Sequence, residues 1–238
     1  MCLRTQNQFF KVDVMNKPAA PKRSRSKANS GKERLIAAGE KLIGEYGLEG
    51  LSLRQVSVEA GLRNHYAVQY HFGDADGLVR AIIGSRSPEL EERRKDILAQ
   101  CEAEDRLSTR DLLETFFRPL IESVGEDGIP HFARFTVALH RAPNGWQPLD
   151  EMMFLMPVTV RMLDLLQSAN PHLPAPVIWQ RMRPISLMVL TYACGSTVMS
   201  APPEYRENVL ENLLDMAAAA LAVPVKETTA AKIYGTIF

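Results

Sequence analysis

Apolar residues recur at helical spacing along most of the chain, and no stretch alternates as a half-buried strand would. The first period opens at "SGKE", where Ser30 and Glu33 form a capping box. Leu35, Leu42, Ile43 and Tyr46 follow on one face, and Gly47 supplies the stop. "LSLRQVSVEAGL" repeats the grammar: Ser52 and Gln55 make a second capping box, Leu53, Val56 and Ala60 share a face, Gly61 ends it, and Leu62 is the apolar residue of the turn. A third short helix is predicted from about Arg63 or Asn64 to about His71. A fourth is capped by Asp74, with Leu78, Ile82 and Ile83 inward. Ser87-Pro88 reads as a fresh helix start. Long helices are then predicted over 88–104, 108–124, 130–141, 149–169, 175–200 and 203–222, parted by "GEDGIP", "RAPNGWQP", "NPHLPAP" and "APP". The fold class is all-α, without hairpin signals or internal repeats.

The third helix is the odd one. "LRNHYAVQYHFGD" (Leu62 to Asp74) holds Arg63, Asn64, His65, Tyr66, Gln69, Tyr70 and His71, against only Leu62, Val68 and Phe72 as apolar anchors at helical spacing. A helix this short is unstable alone and must be clamped by its neighbours. Three short helices with a tight glycine turn between the second and third make a helix-turn-helix, whose last helix fits the major groove of DNA. Arg63 suits guanine O6 and N7, and Asn64 or Gln69 suits adenine N6 and N7. Tyr66, Tyr70 and His71 suit phosphates that fix register, His65 is a further exposed candidate, and Ser52 and Arg54 open a helix whose N-terminus favours a phosphate. On spacing alone, the competing reading is a polar surface helix of a plain bundle.

Charge sharpens this picture. The chain of 238 residues has a formal net charge of zero, but residues 1–71 hold 12 Lys/Arg against 6 Asp/Glu and residues 72–238 hold 16 against 22. A basic head for a polyanion and an acidic body follow. Residues 1–29, with "NKPAAPKRSRSKANS" leading into Ser30, read as a disordered basic arm. The expected division is that arm, a helix-turn-helix domain over 30–86, an effector and dimerisation domain over 87–224, and a tail over 225–238.

The remaining chemistry is sparse. Cys2, Cys101 and Cys194 form no CxxC pair and suit idle thiols in a reducing cytoplasm. No apolar run approaches the ~20 residues of a membrane span, and no leader pattern opens the chain. His131, His140 and His172 are scattered, so no metal is expected. No nucleophile elbow, dinucleotide fingerprint or P-loop occurs, so neither a cofactor nor an enzyme is expected.

In the body, Met152, Met153, Phe154 and Met156 cluster on one predicted helix. With Phe116, Phe132, Phe135, Trp179, Met182 and Tyr192, the methionines at 152, 153 and 156 are candidates to line a flexible apolar pocket; ordinary core is the alternative. Helices 175–200 and 203–222 carry small and apolar residues suited to a four-helix interface between two copies.

"ERLIAAGEKLIGEYGLEGLSLRQVSVEAGLRNHYAVQYHFGDADGLVRAII" (Glu33 to Ile83) resembles the N-terminal domain of the TetR family of one-component transcriptional regulators. The likeness rests on the entry "AAGEKLIGEYGLEGLSLRQV", the "EAGL" turn, the "YHF" close and the following "GLV", some fifty residues. It implies an N-terminal three-helix domain joined by a connecting helix to a larger helical body with an effector pocket, a homodimer, and a palindromic double-stranded operator released when the effector binds; the candidate pocket residues argue that this effector is small and apolar. Where the family places a Lys at the start of the fourth helix, this chain has Ala75 between Asp74 and Asp76, and the interval from Gly61 to Phe72 is one residue longer than the common pattern. The alternatives are a helical scaffold or small-molecule-binding protein with a degenerate DNA-binding motif, and a helical enzyme or carrier.

Overall fold

The computed structural model describes residues 30–144 and 147–225. The expected basic arm, and all of the expected tail except Val225, lie outside the described residues. Among them there is no strand, in keeping with the sequence pattern. Three short helices, α1 (Gly31–Tyr46), α2 (Leu53–Glu59) and α3 (Ala67–Phe72), precede the long α4 (Ala75–Ala103). Then come α5 (Thr109–Glu122), α6 (His131–Arg141), α7 (Gln147–Glu151), a 3-10 turn (Met153–Leu155), α8 (Pro157–Ala169), α9 (Ala175–Ala193), α10 (Ser196–Met199) and α11 (Pro203–Ala222).

Local signals set the early boundaries. Ser30 Oγ accepts the Glu33 N–H at 3.3 Å while Glu33 accepts the Ser30 N–H at 3.0 Å, closing the capping box. Gly61, at φ +67°, ends α2 in a Schellman turn, with Leu62 N–H on Ser57 O at 3.0 Å and Gly61 N–H on Val58 O at 2.9 Å. Helix α4 starts on Asp74, whose Oδ1 accepts the Gly77 N–H at 2.8 Å. A Cβ at Gly77 would collide with the Phe72 carbonyl oxygen, so the glycine lets α4 begin hard against the end of α3.

One hydrophobic cluster runs from Leu35 and Leu78 through Phe117 and Phe135 to Leu214 and Leu221. Helix α1 packs on α6 and α4, and α11 packs on α9 and α5. At the α1–α6 crossing a Cβ on Gly44 would lie 3.2 Å from the Phe135 backbone nitrogen. Buried Glu40 of α1 takes both the Nε (2.7 Å) and Nη2 (2.9 Å) of Arg86 in α4. Arg110 and Arg118 of α5 pair with Glu211 and Glu207 of α11.

Several expectations need correcting. Ser87-Pro88 does not restart a helix; α4 runs straight through the expected domain boundary at 86/87. Pro88 removes one backbone donor, but Ile83, Ser87 and Leu90 are buried on both sides of it, and that packing outweighs the loss. The helix expected over 149–169 is broken twice: α7 ends at Glu151, and after the 3-10 turn Met156, pushed out of helical conformation by the proline that follows it, precedes α8. The one expected over 175–200 breaks at Gly195, where the backbone turns extended. Only the forward half of the Ser52–Gln55 box forms among the described residues. Tyr46 is 68% exposed, since the inward position of its turn belongs to Ile43.

Candidate nucleic-acid interface and interior cavity

Helix α3 begins at Ala67, later than its sequence predicts. Asn64 Oδ1 accepts the Tyr66 N–H at 2.9 Å and its carbonyl accepts from Ala67 N at 3.2 Å, a local turn that competes with helix. Arg63, Asn64, His65 and Tyr66 therefore sit on the lead-in turn, while Gln69, Tyr70 and His71 lie on the helix. All seven side chains are exposed, Tyr66 at 72% and Tyr70 at 82%. Ala67 and Val68 are the buried anchors, with Phe72 half-buried. The lead-in is also tied down by Ser57, buried, whose hydroxyl lies 3.4 Å from the His65 carbonyl. Arg54 is exposed on the first turn of α2, and half-buried Ser52 spends its hydroxyl on the Gln55 N–H at 3.4 Å.

The charge around this face is balanced. Residues 30–71 carry five Lys/Arg (Lys32, Arg34, Lys41, Arg54, Arg63) and five Glu, and Asp74 and Asp76 stand exposed at the foot of α3. The whole positive excess of the N-terminal third thus belongs to residues 1–29, with seven Lys/Arg and one Asp.

Between α4 and α9 lies a cavity of about 410 Å³, within the range of small-molecule sites. Of the residues singled out in the sequence, Phe116, Phe132, Met153, Met156, Trp179 and Met182 line it. Three do not. Phe135 is fully buried in the core, stacked on Phe132 with ring centroids 5.4 Å apart. Met152 is half-buried against the core beside Gly84. Tyr192 points outward from α9 and is 59% exposed. The methionine cluster falls on the 3-10 turn and the residues that flank it, between α7 and α8, and Phe154 is 70% exposed.

The polar part of the wall is what sequence reasoning missed. Arg94, 4% exposed, stacks on Phe116 at 4.6 Å and donates to Thr159 Oγ1 (3.0 Å) and the Phe116 carbonyl (3.0 Å). Its ion partner Glu91 lies 3.4 Å away. Glu91 also accepts the Val158 N–H (2.7 Å), the Thr159 N–H (3.2 Å) and the Thr159 hydroxyl (2.6 Å), so a carboxylate of α4 caps α8. Burial lowers the pKa of Arg94, and Glu91 opposes the shift. The signal was present: Ser87, Leu90, Leu98 and Cys101 form a buried helical stripe, and position 94 falls on it. Its neighbours in "EERRKD" make the arginine look like part of a solvated charge run.

At the other end, His140 and Asp150 line the cavity with Arg183. Burial, helped by the Arg183 charge, pushes His140 down to about 4. Burial raises Asp150, against the pull of Arg183. Arg183 also donates to the His140 carbonyl at 3.2 Å. Cys194, buried beside Arg134, is pushed up to about 12 by desolvation and stays a thiol. Of the other histidines, His131 pairs with Asp127 at 2.9 Å and His172 with the Ala222 carbonyl at 2.8 Å.

No family model and no curated protein matches the chain. Among solved structures, a TetR family transcription regulator from Marinobacter aquaeolei VT8 is similar over 80% of this chain and 95% of its own, at 16% identity and a TM-score of 0.54. A transcriptional regulator from Rhodococcus sp. Rha1 is similar over 83% of this chain and 100% of its own, at 24% identity and a TM-score of 0.51. At such identities the likeness is one of architecture, and this chain has the all-α fold of TetR-type transcription regulators.

Proposed function

We propose that this chain is a ligand-responsive, sequence-specific DNA-binding transcription regulator that acts as a homodimer and is released from a palindromic operator by a small, largely apolar effector. One observation carries the reading: seven exposed hydrogen-bonding side chains, Arg63 to Tyr66 and Gln69 to His71, presented by a turn and a short helix anchored through Ala67 and Val68. A structural helix has no need of such a face; a base-reading one does.

Two copies are supported by α11. Its inner face (Leu210, Leu213, Leu214, Ala217, Leu221) is buried, yet Tyr205, Met216 and Ala219, with Val223 just past its end, lie along a second, outer line interrupted by Asn212, with Tyr205 50%, Met216 49% and Val223 54% exposed. A helix apolar on two sides calls for a second partner. Coupling has a physical basis in α4, which reaches from the foot of α3 to the cavity wall at Ser87, Leu90 and Arg94. Arg80 of α4 also pairs at 2.7 Å with Glu151, next to the cavity-lining Asp150.

Gel shift on duplexes from the chain's own upstream region tests the proposal. Gln69→Ala with Tyr70→Ala weakens binding at least about tenfold with no change in melting temperature, because both side chains are exposed, a bidentate base contact such as Gln69 offers is worth about 1–3 kcal/mol, and Tyr70 adds a phosphate contact; retained binding removes α3 from the reading role. Deleting residues 1–29 lowers affinity for every duplex and flattens its salt dependence, since that segment holds the surplus cations. A scaffold or small-molecule-binding protein with a degenerate DNA-binding motif is the second reading, favoured by the exposed Asp74 and Asp76 where a phosphate would lie; absence of any shift at low ionic strength selects it.

A further inference from the structure

The cavity's polar chemistry says more about the ligand than its apolar area does. The charges of the wall are offset close by: Arg94 pairs with Glu91 at 3.4 Å, and Asp150 and Arg183, of opposite sign, line the same end of the cavity. Glu91 is fixed by two backbone N–H groups and the Thr159 hydroxyl, so it cannot swing away to make room for another anion. His140 is neutral across the physiological range. A ligand that brought its own charge would bury it unmatched, which is strongly unfavourable.

Hydrogen-bonding capacity, by contrast, is left over. Ser186, 4% exposed, lines the cavity, and its side chain makes no hydrogen bond among the described residues. The Nε–H of Arg94 and Nδ1 of His140 are buried without partners among the described residues. An unused buried donor favours a ligand atom that can accept from it.

Resting on the reading of this cavity as the effector site, we infer that the ligand is an uncharged, largely apolar molecule carrying a carbonyl or hydroxyl oxygen that bonds Ser186, and that carboxylates and amines of the same skeleton are discriminated against.

The test is calorimetry on the full chain at pH 7 without DNA. The probes are matched sets on a linear and a bicyclic aromatic skeleton: hydrocarbon, primary alcohol, methyl ester, carboxylate and ammonium. On at least one skeleton, alcohol or ester binds at least about tenfold tighter than carboxylate or ammonium. Ser186→Ala weakens the oxygenated neutral ligand about fivefold and leaves the hydrocarbon unchanged. The inference is overturned if a charged member equals or exceeds its neutral counterpart, if hydrocarbon and oxygenated ligand bind alike, if Ser186→Ala changes neither, or if no neutral member of either set binds. Adding the bound neutral ligand to a protein–duplex complex separates the two claims. Binding in the expected order without release of DNA defeats the regulator reading and leaves the ligand chemistry standing.

Discussion

Residues 30–77 and the body around the cavity set their helices by different means. In residues 30–77 the contacts that fix the helix ends are short in sequence: Ser30 with Glu33, Leu62 with Ser57, Asp74 with Gly77, and glycines at 61 and 77 where a side chain would strain or collide; buried Glu40, reaching Arg86 in α4, is the exception. In the body, buried charges join positions far apart, as Glu91 does with Thr159, 68 residues away. The first arrangement leaves polar side chains free to face outward; the second uses them to shape an interior. An exposed polar face and an interior cavity thus demand different treatment of polar groups.

The sharpest way to break this contrast is Glu91→Ala. It strips Arg94 of its counter-charge and uncaps α8, and is expected to cost about 3–5 kcal/mol in chemical denaturation; a loss below about 1 kcal/mol would show that the buried pair does not organise the body. Next comes pH. Burial holds His140 near 4 against an ordinary 6.5, so the unfolded chain takes up a proton that the folded chain refuses. Stability is full above pH ~6.5 and declines toward pH 4, by up to about 3 kcal/mol. Melting curves of His140→Gln should lose that part of the acid slope. Gly77→Ala, pressed against the Phe72 carbonyl, should cost about 1–3 kcal/mol. Gly84→Ala should instead gain up to about 1 kcal/mol, since its Cβ would meet only Met152 Cε at an ordinary 3.5 Å. Equal effects at the two glycines would blur the distinction between obligatory and incidental ones.

The same contrast explains what the sequence discloses. Helix existence, most caps and the Gly61 turn were legible, because each depends on residues within four or five positions. The start of α3 was misjudged by the self-turn at Asn64, and the continuity of α4 by reading Pro88 without the core that brackets it. The apolar cavity wall was partly legible through Phe116, Phe132, Met153, Met156, Trp179 and Met182. Its polar half was not. The helical stripe of Ser87, Leu90, Leu98 and Cys101 marks position 94 as inward, but the partners of Arg94 and Glu91 appear only when α4 and α8 meet, and nothing in the spacing announces that meeting. Phe135 and Tyr192 show the converse: aromatic character alone does not tell a cavity wall from a core or a surface.

Pro88 has a mechanical consequence. It supplies no N–H to the Gly84 carbonyl, so α4 lacks one rung near its midpoint. Thirteen residues separate it from the helix start at Ala75, a lever arm of about 20 Å. Flexure of about 5° at that missing rung sweeps the far tip through roughly 2 Å, several times the ~0.5 Å spread of a hydrogen-bond distance.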